Sequence, residues 1–193
     1  MSNTPLIRPL FAAILVALLQ TAFLGYMIES RASILRNGVD VVLKTVPVDP
    51  RDLLRGDYVV LSYDISNISA DKVTGGLPTE ATDAQVSVRL EKQPDGFWTI
   101  SEASFGTLAP KEGTVIARSS PFYFYPTADG SPSSVNVEYG IERYYVPEGD
   151  GLVLEEARNA SALSVTASVD GGGRMQIRSI AIDGKPLYEE PLY

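Results

Sequence analysis

Residues 55–65 read RGDYVVLSYDI, and the fold of the whole chain turns on this stretch. Arg55-Gly56-Asp57 imitates an adhesion tripeptide, but such a ligand needs its Arg and Asp displayed on a mobile, solvated loop. Here Asp57 runs straight into Tyr58-Val59-Val60-Leu61, aromatic and β-branched residues that favour a strand. At a period of two, Tyr58, Val60 and Ser62 share one face, and Val59, Leu61 and Tyr63 the other. The second face is apolar, so Leu61 and Tyr63 are expected to be buried beside Val59, with Tyr58 at a wet rim. Gly56 suits the positive φ that ends a helical turn over Leu53-Leu54-Arg55. Asp57 can accept N–H groups of that turn or pair with Arg51 or Arg55. The stretch is a structural joint, and its adhesion tripeptide a coincidence.

The same texture recurs along the chain. VDVVLKTV (39–46), AQVSVRLE (84–91), FWTISEASF (97–105), PFYFYP (121–126), VNVEYGIERYYV (135–146), ALSVTASV (162–169) and RMQIRSIAI (174–182) all read as strands. Turn chemistry separates them: Pro94-Asp95-Gly96, Asp170-Gly171-Gly172 and Asp183-Gly184-Lys185. This spacing predicts an all-β barrel or sandwich of about 8–10 short strands. One helix is expected within EGDGLVLEEARNAS (148–161), covering an end of the β structure.

The front of the chain differs. Residues 9–28, PLFAAILVALLQTAFLGYMI, carry no charged side chain. Twenty residues at about 1.5 Å each make about 30 Å of helix, the thickness of a bilayer's hydrocarbon core. A cleaved signal peptide competes with this reading, but its apolar core is shorter, about 7–15 residues. The expected plan is a short tail (1–8), one transmembrane anchor (9–28), a linker (29–37) and a β domain (38–193). Arg8 on one side and Arg31 and Arg36 on the other nearly balance, so charge alone does not orient the span.

Composition removes whole classes of function. The chain has no histidine and no cysteine, which excludes disulfides, thiolate nucleophiles, Ser-His-Asp triads and the usual zinc, haem and copper ligand sets. Its net charge of -8, with no Lys/Arg run, argues against nucleic acid as a partner. No cofactor and no metal site is expected: EGDG and TADGS fall far short of a calcium-loop ligand series. The 24 acidic residues make paired carboxylates inevitable by chance, so a glycosidase has no specific signal.

Gly56, Asp57, Tyr58, Leu61 and Tyr63 match, position for position, the signature that gives the GDYXXLXY protein family its name. VEYGIERYYVPEGDG (137–151) and IDGKPLYEE (182–190) also resemble segments of that family. The resemblance implies a bacterial protein of the cytoplasmic membrane, with one amino-terminal anchor and an extracytoplasmic, periplasmic domain. It also implies a genomic neighbourhood of multi-pass membrane proteins, and it supplies no catalytic residue to carry over.

The densest polar cluster is Glu142, Arg143, Tyr144, Tyr145 and Glu148. On a strand, Glu142 and Tyr144 face one way and Arg143 and Tyr145 the other. Arg143 could cross to Asp57 and lock the two motifs together. Arg55, Tyr58, Glu142, Arg143, Tyr144, Tyr145 and Glu148 are therefore the candidate binding or interface residues, with Tyr58, Tyr144 and Tyr145 lining a groove. In PFYFYP one aromatic pair is expected inside, the other exposed as a shelf. Three functions follow in order: a non-catalytic accessory protein, held in the lipid bilayer through 9–28, that binds a multi-pass membrane partner; a module binding an envelope carbohydrate or peptide; and a carboxylate hydrolase.

Overall fold

A computed structural model describes residues 7–47, 58–126, 133–145, 151–160 and 162–191. The amino-terminal helix α1 spans Ile7–Asn37 and does not stop where the charges begin. Residues 29–37, expected as a linker, are its last turns. Ala32, Ile34 and Leu35 are buried there against the β structure, and that apolar contact keeps the segment helical. The helix ends at Gly38, whose N–H donates to the carbonyl of Ile34 at 2.8 Å. A Cβ at Gly38 would lie 2.5 Å from that same carbonyl oxygen and 3.0 Å from the carbonyl oxygen of Val169, so only glycine fits.

The remainder is mostly β. The first strand, β1 (Val39–Lys44), begins an antiparallel four-stranded sheet in the order β1, β11 (Leu163–Val169), β12 (Met175–Ile182), β13 (Lys185–Glu189). The last turns of α1 pack on β11 and β12. The Arg178 guanidinium donates to the carbonyl of Leu35 at 3.0 Å and meets the Asp40 carboxylate at 3.3 Å. A cation on the last carbonyls also complements the helix dipole.

A second, three-stranded sheet has β5 (Ser87–Lys92) between β6 (Trp98–Ser104) and β7 (Thr114–Arg118). Three strand pairs complete the structure. They are β2 (Tyr58–Val60) with β10 (Arg143–Tyr145), β3 (Asn67–Ser69) with β9 (Ser134–Asn136), and β4 (Thr82–Ala84) with β8 (Phe122–Phe124). The second helix, α2 (Gly151–Asn159), falls within the stretch expected to be helical.

Thirteen strands are thus present among the described residues, more than the 8–10 expected, because several are only three residues long. None of the five sheets among the described residues closes on itself. The run 135–146, expected as one strand, is split into β9 and β10 by an irregular turn with Gly140 at φ +81°. One apolar core joins the pieces. Leu43, Leu61, Tyr63, Ile65, Ile68, Leu90, Leu154, Leu163 and Ile180 are all shielded from solvent within it.

Candidate functional site

The signature keeps the alternation its sequence predicts, although the strand expected to run on through Tyr63 is regular only over Tyr58–Val60 and gives way to a 3-10 turn at Asp64–Ser66. Val59, Leu61 and Tyr63 are each 1% exposed, and Tyr58 is half-buried at the rim. Its partner is the second segment singled out in sequence: Tyr58 pairs with Tyr145, Val59 with Tyr144 and Val60 with Arg143. Further along, Asn67 pairs with Asn136 and Ser69 with Ser134 in the same register. Leu61 N–H donates to Glu142 O at 2.8 Å and Val137 N–H to Ser66 O at 2.9 Å, so the two segments form one interrupted antiparallel ribbon.

At the interruption two tyrosines replace the backbone ladder. The Tyr63 hydroxyl donates to the carbonyl of Ile141 at 2.7 Å, and the Tyr139 hydroxyl donates back to the carbonyl of Ile65 at 2.8 Å. Each reaches the carbonyl two residues beyond the other tyrosine. Burial first, then the Glu142 carboxylate, pushes both phenols above their usual range, so they remain donors. Glu142 accepts the N–H groups of Tyr139 and Gly140, holding the turn that presents Tyr139. Both of its carboxylate oxygens are engaged with its own backbone.

Tyr144 turns inward, 8% exposed, against Tyr188 with ring centroids 6.2 Å apart. Burial, with Glu190 beside it, pushes its phenol up to about 12. The expected groove therefore loses one wall, because Tyr144 and Tyr145 alternate across the strand. What remains outside is a compact cluster: Arg143 lies 5.9 Å over the Tyr58 ring, and the Tyr58 and Tyr145 rings are 5.9 Å apart. Tyr145 is 71% exposed. Gly56, Asp57, Arg55 and Glu148, with the proposed Asp57–Arg143 pair, lie outside the described residues.

The PFYFYP stretch divides as expected. Phe122 and Phe124 pack on Phe105, at 6.5 and 5.4 Å, whereas Tyr123 and Tyr125 stand outside with rings 4.7 Å apart. Because those two rings tilt onto each other at 56°, they form a closed pair and not a flat shelf.

The model of one protein family, the GDYXXLXY protein family, matches residues 20–180. The chain belongs to this family. The match takes in the second half of the apolar helix, the signature strand, the ribbon and most of β12. No curated protein and no solved structure matches the chain significantly.

Further polar groups are shielded from solvent that the sequence reading did not single out. Arg158 of α2 is 3% exposed and donates to Val60 O at 2.7 Å, on the edge of the signature strand that faces away from β10. Asp64, directly after Tyr63, has its Oδ1 shielded from water with no bonding partner, as has the Ser66 hydroxyl. Burial raises the Asp64 carboxyl, against the pull of the Ile65 N–H and of Lys44. A helix with Arg158 on its inner side shows up as amphipathic periodicity. An unpartnered carboxylate has no sequence signal.

Proposed function

We propose that this family member is a non-catalytic, single-pass membrane-anchored accessory protein whose β domain docks on a multi-pass membrane partner. The domain stands on the extracytoplasmic face of the bacterial cytoplasmic membrane. The observation that carries this reading is the continuity of α1. The helix has a stretch apolar enough to cross a bilayer, entirely unburied by the chain itself, and passes without a break into the body of the β domain.

A module that samples a dissolved ligand gains from a flexible tether. A subunit that mates with a neighbour in the same membrane gains from a rigid stalk, which fixes the height and direction of its interface and lowers the entropy lost on docking. Gly38, Arg178 and the buried Ile34 and Leu35 make that stalk. The outward Tyr58–Arg143–Tyr145 cluster has the aromatic and arginine composition of an interface centre.

The test is gentle-detergent purification of full-length protein from native membranes, with mass spectrometry of what accompanies it. A stoichiometric multi-pass protein that is lost on Tyr145→Ala is expected. A chain that purifies alone and monodisperse sinks the reading.

A further inference from the structure

Within the apolar run 9–28 of α1, polar side chains are few, and their fates differ. Thr21 closes onto its own helix, donating its hydroxyl to the carbonyl of Ala17 at 2.9 Å. Gln20 has no such recourse: it is exposed on the helix surface, and its carboxamide bonds nothing among the described residues. It sits within two residues of the middle of the run, about 12 Å of helix from the nearer end at about 1.5 Å per residue. Water is not at hand at that depth, and a primary amide in hydrocarbon is costly until another polar group bonds it.

We propose that α1 pairs in the membrane with α1 of a second copy of this chain, the two Gln20 carboxamides hydrogen-bonding across the pair. The amide itself selects this occupant. It carries an NH2 donor and a carbonyl acceptor, so two copies related by a twofold axis satisfy each other in both directions. Two copies anchored the same way also hold Gln20 at the same depth, which any other helix must match with a polar group of its own. The surrounding face admits the contact. Leu10, Ala13, Ala17, Leu24 and Met27 recur with Gln20 at alternating steps of three and four residues, the seam of a helix pair. Ala13 and Ala17 let the two backbones approach. Every residue of 9–28 is exposed, so the β domain leaves this seam open. The inference rests on the membrane-anchor reading and is independent of the Tyr58–Arg143–Tyr145 face.

The chain has no cysteine, so single introduced cysteines report the seam without background. The experiment is disulfide crosslinking of full-length protein in native membranes, each variant first checked for retention after alkaline carbonate extraction. Crosslinked dimer is expected to form readily from Ala13→Cys, Ala17→Cys and Leu24→Cys, and much more slowly from Leu15→Cys and Ala22→Cys on the opposite face. Adding Gln20→Leu to Ala17→Cys is expected to slow it about tenfold, while Gln20→Asn, which keeps the amide, retains most of it. Extraction of the wild-type chain by carbonate overturns the anchor reading and this inference with it. A retained chain that crosslinks nowhere, or equally on all faces, overturns the pairing alone. Crosslinking undiminished by Gln20→Leu overturns the role of the amide, and a crosslinked band containing a different protein overturns the second copy as occupant.

Discussion

Tyr63 and Tyr139 hold the two halves of the ribbon by a reciprocal exchange, each hydroxyl bonding the backbone two residues past the other ring. The exchange explains why a tyrosine and not a phenylalanine ends the signature. The ring fills the core, and the hydroxyl closes a backbone carbonyl that the interrupted ladder leaves open.

Removing either hydroxyl is therefore expected to be costly. Tyr63→Phe and Tyr139→Phe should each lower unfolding free energy by about 1–3 kcal/mol, the cost of one unsatisfied buried carbonyl. Urea denaturation of the full chain in detergent would measure it. The double variant should fall short of additivity, since the two bonds close one gap.

Arg158→Met should cost about 1–3 kcal/mol by the same reasoning, because the carbonyl of Val60 loses its donor on an edge covered by α2. Thermal unfolding followed in the far ultraviolet would show it. A melting temperature unchanged from wild type would mean that water takes the place of the guanidinium.

Gly38→Ala should loosen the stalk. Its Cβ cannot coexist with the Ile34 carbonyl, so the helix must shift off Ser168 and Val169. Hydrogen exchange at residues 32–40 is expected to speed up at least tenfold while β5 and β6 keep their protection.

Two carboxylates give opposite pH signatures. Asp64 has a raised value in the fold, chiefly through burial, so the stability linked to it is fully present below about pH 4 and is lost as pH rises through the folded value. Asp64→Asn should melt higher than wild type at neutral pH, and the difference should vanish in acid. Glu102 is held low, first by its hydrogen bond from Arg89 and then by Thr74. Its contribution is present above about pH 4 and is lost as pH falls through the lowered value. Glu102→Gln should thus melt lower than wild type near neutrality. Melting curves from about pH 3 to 8 on the three proteins would separate the two.

Local pattern made much of this legible. Alternation placed Val59, Leu61 and Tyr63 inside and Tyr58 at the rim because the side-chain period of a strand is a property of the backbone. The uncharged run 9–28 announced a helix of bilayer length, since that follows from rise per residue alone. The Pro94-Asp95-Gly96 turn fixed the hairpin β5–β6, where glycine at φ +90° (Gly96) is needed locally, whereas in β11–β12 the positive φ falls at Gly173, one residue past the turn read from sequence.

Partnership was another matter. That Tyr139 answers Tyr63, that Arg158 caps Val60 and that Asp64 Oδ1 meets no donor depend on groups dozens of residues apart in the chain, meeting only when the sheets assemble. The linker became helix for the same reason: Ile34 and Leu35 choose their conformation from the sheet they cover, which no local propensity contains. The sequence by itself determined that one apolar helix leads the chain, that the rest is mostly β, and which face of the signature segment is apolar. Tertiary structure alone decided which polar groups are satisfied, and so where the chain holds itself together.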